Sequence, residues 1–535
     1  MSPVDYTTLV VFLAGVFWLG TRFYKWVGTP DDFYVAGRQL TPFILAASLT
    51  TANVSLFSLI GVSGTAYQNG ISIIWLTWTG NMALVFSGLF VIPVLRRLCI
   101  RTIPEFLEMR YSGSVRILVS VLWVFRLAFW IAVVLYAGVT AAQQLTGVRS
   151  FTLWILVFAC IVVVYTTLGG MWSVVLTNNL GFLLMMCAVL TIFPMAMRAV
   201  GWRPGLLAHL PPHYLQFVTT GGKYNWKFII AILALGLQWA TLDQGLLQSA
   251  FSARDPRVVS KGMVLSAVMI TPFAFLWILP GLAARILYPG LAKGELAVPT
   301  LIVHLVPIGA LGFVTCGFMA SLLSTIGSNL GAVATLMAND IYGRFLNRQA
   351  SPRQLLIAVR LATVLAGLLT IGLTYLVPHL GGAVDAYLTV ISIMDMPLFV
   401  IAIPFGLLWK RTTWQGAISG YIAGSLTGAV LKFGFGWEVA PVTIISGATA
   451  ALVCPLVTLA TKAKPAVPEL DAKAEEKVNP RPPVYAASRW VLALGFAIFL
   501  GGVLTGSRNE STASIIAVSG MVMYFVGGLI MAKFV

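Results

Sequence analysis

Runs of about 20 apolar residues recur along nearly the whole of this 535-residue chain, and a run of that length crosses the hydrocarbon core of a bilayer as a helix. In lipid, every backbone N–H and C=O needs a partner within its own segment, which leaves α-helix as the structure such runs adopt. The expected spans lie near 6–24, 41–67, 71–95, 117–143, 150–168, 171–197, 228–248, 262–284, 309–338, 355–378, 386–409, 414–431, 440–461, 490–506 and 512–532. A transmembrane β-barrel would show short alternating segments instead. Composition excludes a soluble domain: the chain is 59% hydrophobic and 10% charged, where soluble proteins carry about 25% charged residues. The fold class is all-α, a polytopic membrane protein with about 15 transmembrane helices.

A formal net charge of +17 would suit a nucleic acid or an acidic lipid if it were clustered. It is instead sorted by side. The loops at 22–40, 96–116, 249–261, 339–360, 410–413 and 462–489, with Lys533, hold 24 of the 34 Lys and Arg residues, and the opposite loops hold 9. Positive loops face the cytoplasm, so the excess charge calls for no nucleic-acid partner. The same rule puts the N-terminus outside the cell membrane and the C-terminus in the cytoplasm. The first apolar stretch has Arg22 and Lys25 after it and no basic residue before it, which suits a retained helix rather than a signal peptide.

The 5 cysteines form no C-x-x-C pair, and the 4 histidines form no cluster. No cofactor and no transition-metal site are expected. No phosphate-binding glycine loop or nucleophile elbow is visible, so an enzyme is the least supported class. Residues 462–489 are charged and proline-rich, the composition of a flexible linker.

Polar groups at membrane depth are costly and usually functional. Asp243, Asp395 and Arg126 are the clear intramembrane charges. They mark either a solute or ion pathway or an ion pair that pins helices together. On both readings Arg126 needs an acidic partner, because an unpaired buried charge is strongly destabilising. Two stretches are rich in small and hydroxyl residues. "LTTANVS" places Thr50, Thr51, Asn53 and Ser55 at the centre of a span. "GFMASLLSTIGSNLGA" puts Ser321, Ser324, Thr325 and Ser328 on one helix face. Such residues serve close helix packing. They also suit a hard cation, which takes several oxygen ligands, supplied by hydroxyls and by carbonyls released where a helix is broken. Composition alone leaves both accounts open.

Several motifs resemble the sodium/solute symporter family in order and spacing: "DDFYVAGRQLTP", "TANVSLFSLIGVSGTAYQNG", "TIPEFLEMRY", "YTTLGGMWSVVLTN", "WATLDQGLLQSAFSA", "LPGLAARIL", "MASLLSTIGSNLGAVATLMANDIYGRF" and "GLLWKRTTWQGAISG". The resemblance covers roughly residues 30–430. It implies a fold similar to the bacterial leucine transporter, with inverted five-helix repeats at about 41–200 and 228–410. An extra helix and cytoplasmic lead-in at 1–40 would precede this 41–410 core. Accessory helices at 411–461, the 462–489 linker and helices at 490–535 would follow it. The first helix of each repeat would be broken, at Thr51 to Ser55 and near Gln238 to Gln244.

The resemblance also implies sites. The family's sodium site aligns on the carbonyls of Thr51 and Val54 and on Ser321, Ser324 and Thr325. The solute pocket would be lined by Asn53, Ser55, Ser58, Thr77, Trp78, Asp243, Gln244 and Thr389. Two departures stand out. Thr77 falls where the sugar-transporting members carry a Glu, and Asn178 falls where the family often has an Asp. The implied function is sodium-coupled import of a small organic solute (sugar, polyol, amino acid or carboxylate) by alternating access across the lipid bilayer. Rival readings are a proton-coupled transporter using Asp395 or Asp243, and a non-transporting sensor or scaffold.

Overall fold

The computed structural model describes residues 2–22, 40–98, 100, 102–307, 309–462 and 483–534. The side chains of residues 19–21, 51–53, 172 and 176 also lie outside the described residues, as do most of the lead-in motif and most of the 462–489 linker. The described elements are helical apart from one isolated bridge, Leu40 to Ala253. In chain order the helices are α1 (Pro3–Arg22), α2 (Pro42–Asn53), α3 (Ser63–Asn69), α4 (Ile71–Arg97), α5 (Ile103–Arg110), α6 (Gly113–Thr146), α7 (Phe151–Met171), α8 (Ser173–Ala199), α9 (Trp202–His209) and α10 (Trp226–Leu242). They continue as α11 (Gln244–Phe251), α12 (Pro256–Leu287), α13 (Ala297–Leu305), α14 (Ala310–Leu346), α15 (Pro352–Thr374), α16 (Ala383–Leu408), α17 (Trp414–Ala429), α18 (Val439–Ala460), α19 (Pro483–Thr505) and α20 (Glu510–Phe534).

Among the described residues, 11 helices are long and apolar enough to cross a membrane, or 12 if the bent pair α10–α11 is one span. The figure of about 15 is therefore approximate. The other expected spans are short (α1), interrupted (α2–α3) or finished by a π-helical turn (α17, at Val430–Gly434). The short apolar helix α13 lies where no span was expected.

Local chemistry sets the boundaries. Asp255 and Ser351 cap α12 and α15, each followed by a proline at the first helical position, where its missing N–H costs nothing. At the end of α7 the chain turns at Gly170, with φ 53° and ψ −146°, a conformation open mainly to glycine.

Helix α14 is the hub. It is 89% buried over its most apolar window and packs against α1, α2, α6 and the α7–α8 pair. The final pair α19–α20 packs on itself and on α4, where the Tyr524 hydroxyl donates to the Met82 carbonyl at 3.0 Å. On the face away from the basic loops, α3 meets the turn before α13 through two glycines. A Cβ on Gly64 would overlap the Gly294 backbone, and a Cβ on Gly294 would overlap the Gly64 carbonyl. Overpacking such a contact costs about 1–3 kcal/mol. Gly64→Val is therefore expected to lower the melting temperature of the purified protein, and an unchanged melting curve would show that this approach is not maintained.

Candidate functional site

Two helix breaks organise the interior. Helix α2 ends at Asn53. Val54 leaves the helical region at φ −87°, ψ 77°, and a π-helical turn over Phe57–Val62 leads into α3. β-branched and side-chain-bonding residues weaken a helix at such a point. The second break falls at Asp243, where α10 and α11 meet at 43°. Asp243 caps α11 by accepting the Leu246 N–H at 3.0 Å.

At the first break, α14 faces the released backbone. The Ser321 hydroxyl donates to the Val54 carbonyl at 3.0 Å, and the Thr325 hydroxyl donates to the Ser321 carbonyl at 3.1 Å. The Ser324 hydroxyl donates to Asn178 Oδ1 at 2.6 Å. Ser321, Ser324 and Thr325 are fully buried. The geometry thus sets Ser321 against Val54, with Ser324 and Thr325 following about one turn along α14; these are uncharged oxygens of the kind a hard cation takes. Thr51 lies in the last turn of α2, and its side chain is outside the described residues.

Beside this set lies a partly open cavity. Ser55, Ser58, Thr77 and Asp243 line it, as expected from the resemblance. The Asn53 side chain is outside the described residues. Three expected residues do not line the cavity. Trp78 donates its indole N–H to the Thr271 carbonyl at 2.9 Å and stacks on Phe217. Gln244 turns toward the basic face, where its Oε1 accepts the Ile103 N–H at 3.1 Å. Thr389 is buried away from the cavity, between lining residues Tyr387 and Ile391.

Several lining residues were not anticipated. Asn81 sits one turn beyond Thr77, and Ser328 and Asn329 continue the hydroxyl face of α14, so helical spacing could have found them. The aromatic lining could not be found that way. Phe57, Trp130 and Tyr387 meet with centroids 4.6–5.2 Å apart and wall off one end. One to two turns further along these helices, Gly61, Tyr136 and Val384 line a separate polar vestibule with Glu295, Lys223 and Asp385.

Behind the cavity wall, Arg126 meets both intramembrane acids. Its Nη1 contacts Asp243 Oδ2 at 2.6 Å, while Nε and Nη2 contact Asp395 Oδ2 at 2.8 and 2.6 Å. All three are buried. The expected single partner is thus two, and the triad carries one net negative charge. No Lys, Arg or His is among the described cavity-lining residues.

On the basic face, side chains around α5 tie several helices together. Arg116 bridges Glu108 at 2.6 Å and Asp340, which also accepts the Thr102 hydroxyl at 2.9 Å. Arg344 contacts Glu108 at 2.5 Å. Arg110 donates to the carbonyls of Gly406 and Trp409, both at 2.8 Å. Burial pushes the Glu108 carboxyl up, but the hydrogen bonds and charges of Arg344 and Arg116 outweigh it and hold the group below its ordinary value.

The sequence matches the family model described as "Sodium:solute symporter family" over residues 33–424. It is 27% identical over 475 residues to the sodium/glucose cotransporter of Vibrio parahaemolyticus, covering 81% of this chain and 86% of that one. It is 25% identical over 477 residues to human sodium/myo-inositol cotransporter 2, covering 80% of this chain and 70% of that one. Among solved structures, it is similar to a Na+-coupled sialic acid symporter in a substrate-bound outward-open state, with a TM-score of 0.78 and 21% identity over 87% of this chain and 99% of that one. It is also similar to a closed conformation of Mhp1, a nucleobase-cation-symport-1 family transporter, with a TM-score of 0.51 and 14% identity over 84% of this chain and 99% of that one. The last two likenesses show the fold.

Two expectations follow from the charges. Removing one partner of a buried ion cluster costs about 3–5 kcal/mol, whereas replacing a whole cluster is often near neutral. Arg126→Met should therefore melt well below wild type, and adding Asp243→Asn and Asp395→Asn should recover most of the loss. An Arg126→Met protein as stable as wild type would contradict the triad. For Glu108, a depressed folded pKa gives stability that is present above the unfolded value and lost as pH falls through the folded one. Melting curves taken while pH falls below the usual Glu range of about 4.3 should drop more steeply for wild type than for Glu108→Gln; parallel curves would contradict it.

Proposed function

Because the chain belongs to the sodium:solute symporter family and is a sodium-coupled solute symporter, we propose that sodium enters between Val54 and the Ser321–Ser324–Thr325 face, and that the solute is a neutral, hydroxyl-rich molecule, a sugar or polyol, held in the adjoining cavity. The carrying observation is the Ser321–Val54 contact directly beside Ser55 and Ser58, which line the cavity. One helix break thereby serves both cargoes. An ion bridging the end of α2 to α14 fixes the backbone from which Ser55 and Ser58 project. Each cargo favours the geometry the other needs, and that coupling is reciprocal, typically about 1–3 kcal/mol.

The cavity's chemistry supports the solute class. Asp243, Ser58, Thr77, Asn81 and Asn329 offer acceptors and donors, and Trp130, Trp239 and Tyr387 offer apolar faces. The net negative triad beside it, with no lining cation among the described residues, disfavours an anion. Relatives named for glucose and myo-inositol point the same way, although Thr77 stands where sugar-transporting members carry a Glu. The two repeats, about 41–200 and 228–410, move against each other on this reading. The basic face is cytoplasmic, with the N-terminus outside, because that face holds 24 of the 34 basic residues. The vestibule beyond the Phe57–Trp130–Tyr387 wall then opens outward.

A ligand that binds only the folded state raises its melting temperature, by about 2.7 kcal/mol of stability at 100 times Kd. At matched ionic strength, sodium chloride should raise the melting temperature above potassium or choline chloride, and Ser324→Ala/Thr325→Ala should lose the difference. Sugars or polyols should add a further shift only in sodium. A wild type indifferent to sodium would refute the ion site, and a larger sodium-dependent shift with carboxylates than with any sugar or polyol would refute the solute class.

A further inference from the structure

We infer that Asn178 is the positioning residue of the ion site: its Oδ1 accepts the hydrogen bond of the Ser324 hydroxyl, turns that oxygen's lone pairs toward the cation, and does so without adding a charge. The inference rests on the reading of Ser324 as an ion ligand. It follows from a closed circuit of hydrogen bonds between α8 and α14. Ser328 donates its hydroxyl proton to the Ser324 carbonyl at 3.1 Å. Having one proton, it then meets Asn178 only as an acceptor, and Asn178 Nδ2 donates to it at 3.1 Å. That bond sets which way the carboxamide faces. The Asn178 Oδ1 is left toward Ser324, whose hydroxyl donates to it at 2.6 Å.

A hydroxyl has one donor and two acceptor sites. With its proton committed to Asn178, Ser324 offers only lone pairs elsewhere. Without that acceptor, a helical serine turns back to the carbonyl four residues earlier, as Thr325 and Ser328 do. For Ser324 that carbonyl is Ala320, which faces Gly181 of α8. The oxygen would then be drawn along the helix, away from its present position. Asn178 and Ser324 are at most 1% exposed and Ser328 is 4% exposed, so water is a poor substitute. A carboxylate at position 178 would accept the Ser324 proton equally well but could not donate to Ser328.

Outer partners of this kind typically change metal affinity by about 10–100-fold when removed. The test is the sodium concentration that half-saturates the rise in melting temperature of the full chain in detergent, with choline chloride holding ionic strength constant. Asn178→Ala should raise it at least about tenfold, and Asn178→Asp, which keeps the acceptor, should restore it to wild type or lower. Ser328→Ala, which leaves Asn178 in place but lets its amide turn, should raise it by a smaller factor and keeps the test informative if Asn178→Ala does not fold. Ser324→Ala serves as the reference. If Ser324→Ala abolishes the sodium response while Asn178→Ala and Ser328→Ala leave it at wild type, the inference fails and the ion site stands. If Asn178→Asp is as weak as Asn178→Ala, an acceptor is not what the site needs, and the inference fails. If Ser324→Ala itself has no effect, the underlying ion-site reading fails and the inference goes with it.

Discussion

A backbone carbonyl or N–H without a partner is too costly to face lipid, and the interior of this protein depends on how that constraint is met at two places. At Val54 the released carbonyl is taken by a hydroxyl of α14. At Asp243 the chain supplies its own cap, since one carboxylate oxygen accepts the Leu246 N–H that starts α11. That second solution creates a new demand. A carboxylate at membrane depth requires a cation, so Asp243 needs Arg126, and Arg126 in turn holds Asp395. The helix break, the charged triad and the tie between α6, α10–α11 and α16 are thus consequences of one another.

The two faces of the helix bundle are held together by different physics. Toward the basic face the tie is ionic and directional: Glu108, Arg116, Asp340 and Arg344 form a network in which each charge has a partner across a helix boundary. Toward the opposite face it is aromatic, three rings in edge and tilted contact with a polar vestibule beyond. Ionic networks are broken by pulling partners apart or by titration. Ring contacts are separated by rotamer changes with little loss of hydrogen bonding. Such a pairing suits a molecule whose two ends open at different moments.

Much of this was legible in the sequence, and the exceptions have identifiable causes. The long spans could be read because bilayer thickness imposes a length. α13 was missed because it is too short to carry that signature. The hydroxyl face of α14 could be read because it lies on a regular helix, where i, i+3 and i+4 spacing holds. Trp78 was not placed in the same way. It follows Thr77 in the regular stretch Trp75–Phe86, about 100° further round the helix, and so meets Thr271 and Phe217 rather than the cavity. Gln244 follows the Asp243 break directly, so its direction is set by the cap rather than by a helical wheel. The aromatic wall joins Phe57, Trp130 and Tyr387 from distant parts of the chain, and a tryptophan in an apolar span looks the same whether it faces lipid or a cavity.

On the proposed reading of the ion site, the neutrality of Val54, Ser321, Ser324, Thr325 and Asn178 has a further electrical consequence. None of these groups carries a formal charge. A cage of this kind moving empty through the membrane's electric field does no electrical work of its own. With a monovalent cation inside, the same movement across the full field is worth about 2.3 kcal/mol per 100 mV. On that reading the membrane potential would act on the loaded site and leave the empty one to thermal motion, and voltage would selectively drive the inward, cargo-bearing step.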